Sequence, residues 1–202
     1  MASINASTAG AGGIITTADN TGTLNIQSGG ATIATISSTG LAVASGKTLS
    51  VNGTTVPSNI PAFSAYRSSN QSFSYTAWTK IALNGEDFDT NNNFDNATNY
   101  RFTPTVAGYY QFNGVIPIQS ASSLTRTIVA LWKNNAQALR GSDLPISAGT
   151  QVVFANVQGL FYMNGSTDYM ELYVYAQGSG SLNVIANSGE YPTLSGYLAR
   201  AA

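Results

Sequence analysis

Phe102-Thr103-Pro104-Thr105-Val106-Ala107-Gly108-Tyr109-Tyr110-Gln111-Phe112 is the stretch that decides how this chain is read. Its second half alternates, Tyr110 and Phe112 to one side and Gln111 and Asn113 to the other, with the period of two that marks a half-buried strand. Gly108 stands at the strand entry, where a side chain would obstruct the backbone, and Tyr110 with Phe112 supplies two stacked aromatics to one sheet face. The same pattern recurs outward from there. Ile128, Ala130 and Trp132 alternate with Val129 and Leu131, and Val152, Phe154 and Asn156 with Val153 and Ala155. Met170, Leu172, Val174 and Ala176 alternate with Glu171, Tyr173, Tyr175 and Gln177. No longer stretch has the i, i+3, i+4, i+7 apolar spacing of a surface helix, and Gly and Asn clusters punctuate the chain. Residues 61–202 therefore read as one all-β sandwich domain with its own core.

Residues 1–60 are built differently. Every Phe, Tyr and Trp of the chain lies at or after Phe63, and before residue 61 the only charges are Asp19 and Lys47. The apolar residues come in short alternating pairs, Leu24 with Ile26, Leu41 with Val43 and Leu49 with Val51, with Ile33 and Ile36 close to that pattern; these residues, together with Ile14 and Ile15, are the candidates for partner binding. Turn signals separate them: Ser28-Gly29-Gly30, Ser38-Thr39-Gly40, Ser45-Gly46-Lys47 and Asn52-Gly53. Such strands carry roughly two apolar side chains each, too few to offset the ordering of the backbone at about 1–2 kcal/mol per residue. The segment is expected to need a partner in order to fold, as an intertwined stalk or an adhesive arm; a flexible Gly/Ser/Thr-rich linker is the competing reading.

Composition removes many chemistries. The 202 residues include no His and no Cys, so thiolate nucleophiles, disulfides and His-assisted serine hydrolysis are excluded. Charged residues make up only 8% of the chain and the formal net charge is −1, which leaves no basic patch for nucleic acid or an anionic membrane. The start of the chain lacks a basic region followed by a long apolar run, and no export signal or membrane span is expected. Durability must come from packing or assembly.

The residues around Gly108 resemble a known family, the trimeric jelly roll shared by the globular head of complement component one-q and tumour necrosis factor. The family signature places five residues between a Phe and a Gly-x-Tyr-x-Phe run, as Thr103 to Ala107 stand between Phe102 and Gly108-Tyr109-Tyr110-Gln111-Phe112. An Asn or Asp precedes an aromatic by five positions, as Asp89 precedes Phe94. The domain's start has a counterpart in Pro61-Ala62-Phe63-Ser64-Ala65-Tyr66 and its end in Thr193-Leu194-Ser195-Gly196-Tyr197-Leu198. Leu83 and Gly114 depart from the signature, which has aromatics there, and one extra residue separates Phe94 from Phe102. The resemblance implies a homotrimer of TNF-like jelly rolls around a threefold axis, with an arm or stalk entering on the N-terminal side. Tyr110, Phe112, Tyr173 and Tyr175 are the candidates for the trimer interface, with Tyr162 and Tyr169 adding to a Tyr-rich face.

Catalytic and metal constellations fare poorly. Asp87, Asp89, Asn91, Asn93 and Asp95 alternate like an oxygen-ligand loop, but an EF-hand needs Gly and Glu where this chain has Asn92 and Thr98. A weak calcium site from Asp87, Asp89 and Asp95, as in some family members, stays open. Asp87 with Asp89 lacks the closed, pKa-shifting cleft of a glycosidase pair. Ser45-Gly46-Lys47 lies in a turn, and Gly10-Ala11-Gly12-Gly13 lacks the Lys of a phosphate loop. Neither a catalytic residue nor a cofactor is expected.

An aromatic-free β arm ahead of a trimeric jelly roll resembles bacteriophage virion proteins, and Leu49-Ser50-Val51-Asn52-Gly53-Thr54-Thr55 resembles segments of phage fibre and decoration proteins. The expectation is a capsid decoration, or cement, protein, made in the host cytoplasm and carried on the virion surface, whose arms clamp the major capsid protein or another virion protein. The alternative is a short tail fibre or spike that recognises a host glycan or surface protein through loops such as 84–99 and 134–150.

Overall fold

The structure is a computed structural model that describes residues 22–51, 54–56, 60–120, 124–145, 152–179, 182–187 and 189–202. Ile14 and Ile15 lie outside the described residues. Every regular element described is a β-strand. The chain divides into two units, Met1–Ser58 and Asn59–Ala202.

In the first unit, β1 (Leu24–Ser28), β2 (Ala31–Ser37) and β3 (Gly40–Val43) form an antiparallel meander, and β4 (Leu49–Val51) pairs with β5 (Thr54–Val56). Glycine makes the first turn possible, since Gly29 and Gly30 both have positive φ, a region that other residues enter at a cost. Register aligns the apolar residues. Leu24 lies opposite Ile36 and Ile36 opposite Leu41, while Ile26 lies opposite Ala34 and Ala34 opposite Val43. All six therefore share one face of the meander, and Ile33 lies on the other. That face is uncovered: Leu24 is 48% and Leu41 56% exposed.

The second unit is a sandwich of two sheets. The first contains β6 (Ala62–Tyr66), β7 (Gln71–Ser72), β9 (Gly85–Asp89), β12 (Gly108–Ser120), β15 (Val152–Met163), β17 (Leu182–Val184) and β18 (Thr193–Ala201). It runs β7-β17-β12-β18-β6-β9, with β15 on the other side of β12. The second contains β8 (Thr79–Lys80), β10 (Phe94–Asp95), β11 (Arg101–Phe102), β13 (Leu124–Lys133), β14 (Ala136–Pro145) and β16 (Met170–Gly178). Its order is β10-β11-β16-β13-β14, and β8 also pairs with β16.

The signature residues meet between the sheets. The Phe63 and Phe102 rings stack with centroids 4.2 Å apart, Phe94 lies 5.4 Å from Phe63, and Phe112 is 5.8 Å from Phe102. A Cβ on Gly108 would collide with the Arg200 carbonyl and Ala201 of the adjacent strand. Gly114 faces inward, where the Leu172 side chain occupies the space the signature gives to an aromatic; Leu83 is fully buried in the same core. Replacing Phe102 with Ala removes the ring that joins both sheets, and a urea titration is expected to show a loss of about 3–5 kcal/mol.

Candidate assembly interface

Alternation along β12 divides its side chains cleanly. Tyr110 and Phe112 are fully buried within the chain's own core, the Tyr110 hydroxyl donating to the Val106 carbonyl at 2.8 Å. Burial pushes the Tyr110 hydroxyl pKa up to about 12. These two residues are therefore corrected from interface candidates to core residues: side chains already enclosed by their own sandwich have no surface left for a partner.

Their neighbours turn outward. Tyr109 lies opposite Tyr162, and Gln111 lies between Leu160 on β15 and Tyr197 on β18. Asn113 lies between Gln158 and Ser195, and Pro117 lies opposite Phe154. The Tyr109 and Tyr162 rings meet edge-on at 5.6 Å. Phe88, Tyr109, Phe154, Leu160, Tyr162 and Tyr197 are all exposed large apolar or aromatic residues on this sheet, Leu160 at 56%. None of the strand-centre positions on this face carries a charge; Asp87, held by the Ser64 hydroxyl at 2.8 Å, and Arg200 stand at its margins.

The other sheet has the opposite character. The three ion pairs among the described residues, Lys80–Glu171, Arg126–Asp143 and Lys133–Asp168, all involve its strands or the turn entering β16. Tyr173 and Tyr175 lie on its outer face, packed with Trp132 and Trp78 respectively. Tyr169 is covered by the Arg101 guanidinium, 4.1 Å from its ring centre. The sequence-level candidates thus separate into core, first sheet and second sheet, and only Tyr162 of the group lies on the uncharged apolar face.

The acidic loop is occupied with its own closure. Asp89 accepts the backbone N–H groups of Asn91 at 3.1 Å and Phe94 at 2.6 Å. Asp95 accepts those of Ala97, Thr98 and Asn99 at 3.0, 2.8 and 3.1 Å, and the Asn99 amide at 2.6 Å. Asp87 is turned to Ser64. Among the described residues, no three Asp, Glu, His or Cys side chains converge as a metal site.

No family model and no characterised protein sequence matches the chain. Solved structures do. The globular domain of zebrafish complement 1qA aligns with a TM-score of 0.54 and 19% identity, over 70% of this chain and 99% of that one. Murine APRIL aligns with a TM-score of 0.50 and 8% identity, over 69% of this chain and 98% of that one. The head is a C1q/TNF-type jelly roll. At such identities the likeness carries the fold alone, so the uncharged face of this jelly roll must be read from its own residues.

The Asp95 turn has a consequence in acid. The Thr98 N–H and the other donors hold the Asp95 pKa down at about 2 against an ordinary 3.8, with desolvation opposing them. A depressed carboxyl pKa stabilises the fold fully above the unfolded value and loses that contribution as pH falls through the folded one. Asp95→Asn is expected to be less stable than the parent at neutral pH, with the gap closing from pH 3.8 to about pH 2 in thermal melts.

Proposed function

We propose that the chain is a structural protein of a bacteriophage virion, a homotrimeric capsid decoration protein whose heads associate through the β9-β6-β18-β12-β15 face and whose arms clamp neighbouring capsid subunits. The observation that carries this reading is a pair of uncovered apolar faces in a chain with few charges. One is the face of the head sheet and the other is the face of the β1-β2-β3 meander. Soluble proteins rarely leave such surfaces free, because burying a Leu or Phe side chain is worth about 1.5–3 kcal/mol.

A threefold ring suits the head face. Cyclic trimers join two different patches of each copy, and this face has two different ends. The β15 end projects Leu160, Tyr162 and Phe154; at the β6–β9 end, Tyr66, Asp87 and Tyr191 line a surface hollow of roughly 400 Å³. Asn, Gln and Ser between the two ends hydrogen-bond across a contact without the desolvation penalty that charges carry. The absence of His and Cys and the engagement of the acidic loop in its own turns favour a mechanical role over catalysis.

For the arm, the partner is the major capsid protein or another virion protein. The meander and the β4–β5 hairpin offer strand edges and exposed Ile, Leu and Val side chains, the elements of strand addition. Three arms on one trimer act at high effective concentration, so contacts that are weak singly sum to firm attachment.

Two measurements test this. Leu160→Lys places a charge in each of the three head contacts and is expected to convert a trimeric mass in light scattering to that of one chain; a parent protein that already has the mass of one chain overturns the trimer. Deleting residues 1–60 is expected to leave a soluble trimeric head that no longer binds particles. Normal decoration by that truncated head overturns the arm's role.

A further inference from the structure

The outer face of the second sheet gathers both tryptophans of the chain. Trp132 stacks on Tyr173 with ring centroids 4.3 Å apart and planes within 21°. Trp78, from the segment entering β8, packs 5.4 Å from Tyr175 and 6.0 Å from Trp132. Room for the rings comes from Ala130, which lies opposite Tyr173 in the β13–β16 ladder. Arg140 stands at the margin, its guanidinium 5.7 Å from the Trp78 ring centre. This aromatic patch faces away from the sheet assigned above to trimerisation, so a trimer built on that sheet leaves it free.

Two polar atoms within the patch have no hydrogen-bond partner. They are Trp132 Nε1 and Glu171 Oε2, both buried. The Glu171 side chain is 3% exposed and spends its other oxygen on Lys80 Nζ at 3.0 Å. Buried polar groups are almost always satisfied, so an orphaned pair asks for an occupant. The two belong to residues directly opposite one another on adjacent strands. One is a donor only and the other, as a carboxylate, an acceptor only. A hydroxyl is the simplest group that satisfies both, accepting from the indole and donating to the carboxylate. The Lys80 ammonium that pairs with Glu171 also donates to the Asn99 carbonyl at 3.0 Å, and it is the more exposed member of the ion pair.

We propose that this patch binds a neutral saccharide, one pyranose ring laying its C–H face on the Trp78–Trp132–Tyr173 aromatics while a ring hydroxyl bridges Trp132 Nε1 and Glu171 Oε2. Aromatic walls with a few convergent polar groups are the usual make-up of a small-ligand site. A peptide strand is disfavoured, because β13 is paired on both edges and offers no free backbone groups. An anionic ligand is disfavoured by the carboxylate at the centre. The inference goes beyond the assembly role and does not depend on it, since a head that fails to decorate capsids keeps the patch.

Because both tryptophans lie in the patch, the emission of the intact protein reports on it alone. Titration with maltohexaose, cellohexaose and triacetylchitotriose is expected to give a saturable emission shift with at least one of them. The apparent affinity should fall at least about tenfold in Trp78→Ala, where Trp132 remains as reporter, and in Glu171→Gln, which keeps the side-chain shape but loses the charged acceptor. Ser69→Ala, in the exposed turn after β6, should leave it unchanged. No shift with any of the three sugars at about 10 mM, far above a specific affinity, overturns the proposal. So does a shift of undiminished affinity in both Trp78→Ala and Glu171→Gln, or a crystal structure of the sugar-soaked protein in which a single water bridges the orphaned pair and no sugar is bound.

Discussion

Phe63 stacked on Phe102 is the contact on which the rest of the head depends. Phe63 belongs to the first strand of the head, in one sheet, and Phe102 to a two-residue strand in the other, so the pair at 4.2 Å is where the two layers are joined. The ring next to them arrives by polar means. Asp89 takes the Phe94 N–H at 2.6 Å and the Asn91 N–H at 3.1 Å, closing the loop so that Phe94 turns into the core. The ring follows the carboxylate by five positions because that is the reach of this turn. Buried aromatics contribute more than their area when ring geometry is favourable, by about 0.5–1.5 kcal/mol per pair. Here several such pairs converge on one point between short strands that have few backbone bonds of their own.

Fixing the core side of β12 also fixes its outer side. A strand's side chains alternate, so placing Tyr110 and Phe112 inward commits Tyr109, Gln111 and Asn113 outward, and a slip of one residue would exchange the two sets. The close approach of β12 and β18 at Gly108 holds that register. The outer face that results carries no charge at its strand centres, while the described ion pairs collect on the opposite sheet. One sandwich thus has two surfaces with different solvation costs: the first loses little when water leaves it, whereas burying the second would strip water from several charges.

Legibility of these features in the sequence follows how local each one is. The arm's strands are bounded by their own turn residues, Ser28-Gly29-Gly30 and Ser38-Thr39-Gly40, and were readable for that reason. The all-β class and the jelly-roll landmarks were readable through spacing around Gly108. The side of β12 that faces the core was not, because Tyr109 and Tyr110 are both aromatic and a period of two does not say which set is buried. What settles it is Tyr162 opposite Tyr109 and Leu172 filling the space at Gly114, both contacts with residues far along the chain. Trp78 likewise joins Trp132 and Tyr175 only through folding, and nothing in its local sequence marks it as part of a patch.

The contrast between the two units bears on how an assembly of this kind forms. The head encloses Phe63, Phe94, Phe102, Tyr110 and Phe112 in a core of its own. The meander aligns Leu24, Ile36 and Leu41 across three strands but leaves them in water, so its ordering is repaid only when another surface covers them. In the proposed particle the head supplies stability and the arm supplies contingency, becoming firmly structured where a capsid surface is present. Tying three such arms to one stable trimer lets each remain individually weak, which allows errors in placement to dissociate, while the set as a whole stays attached.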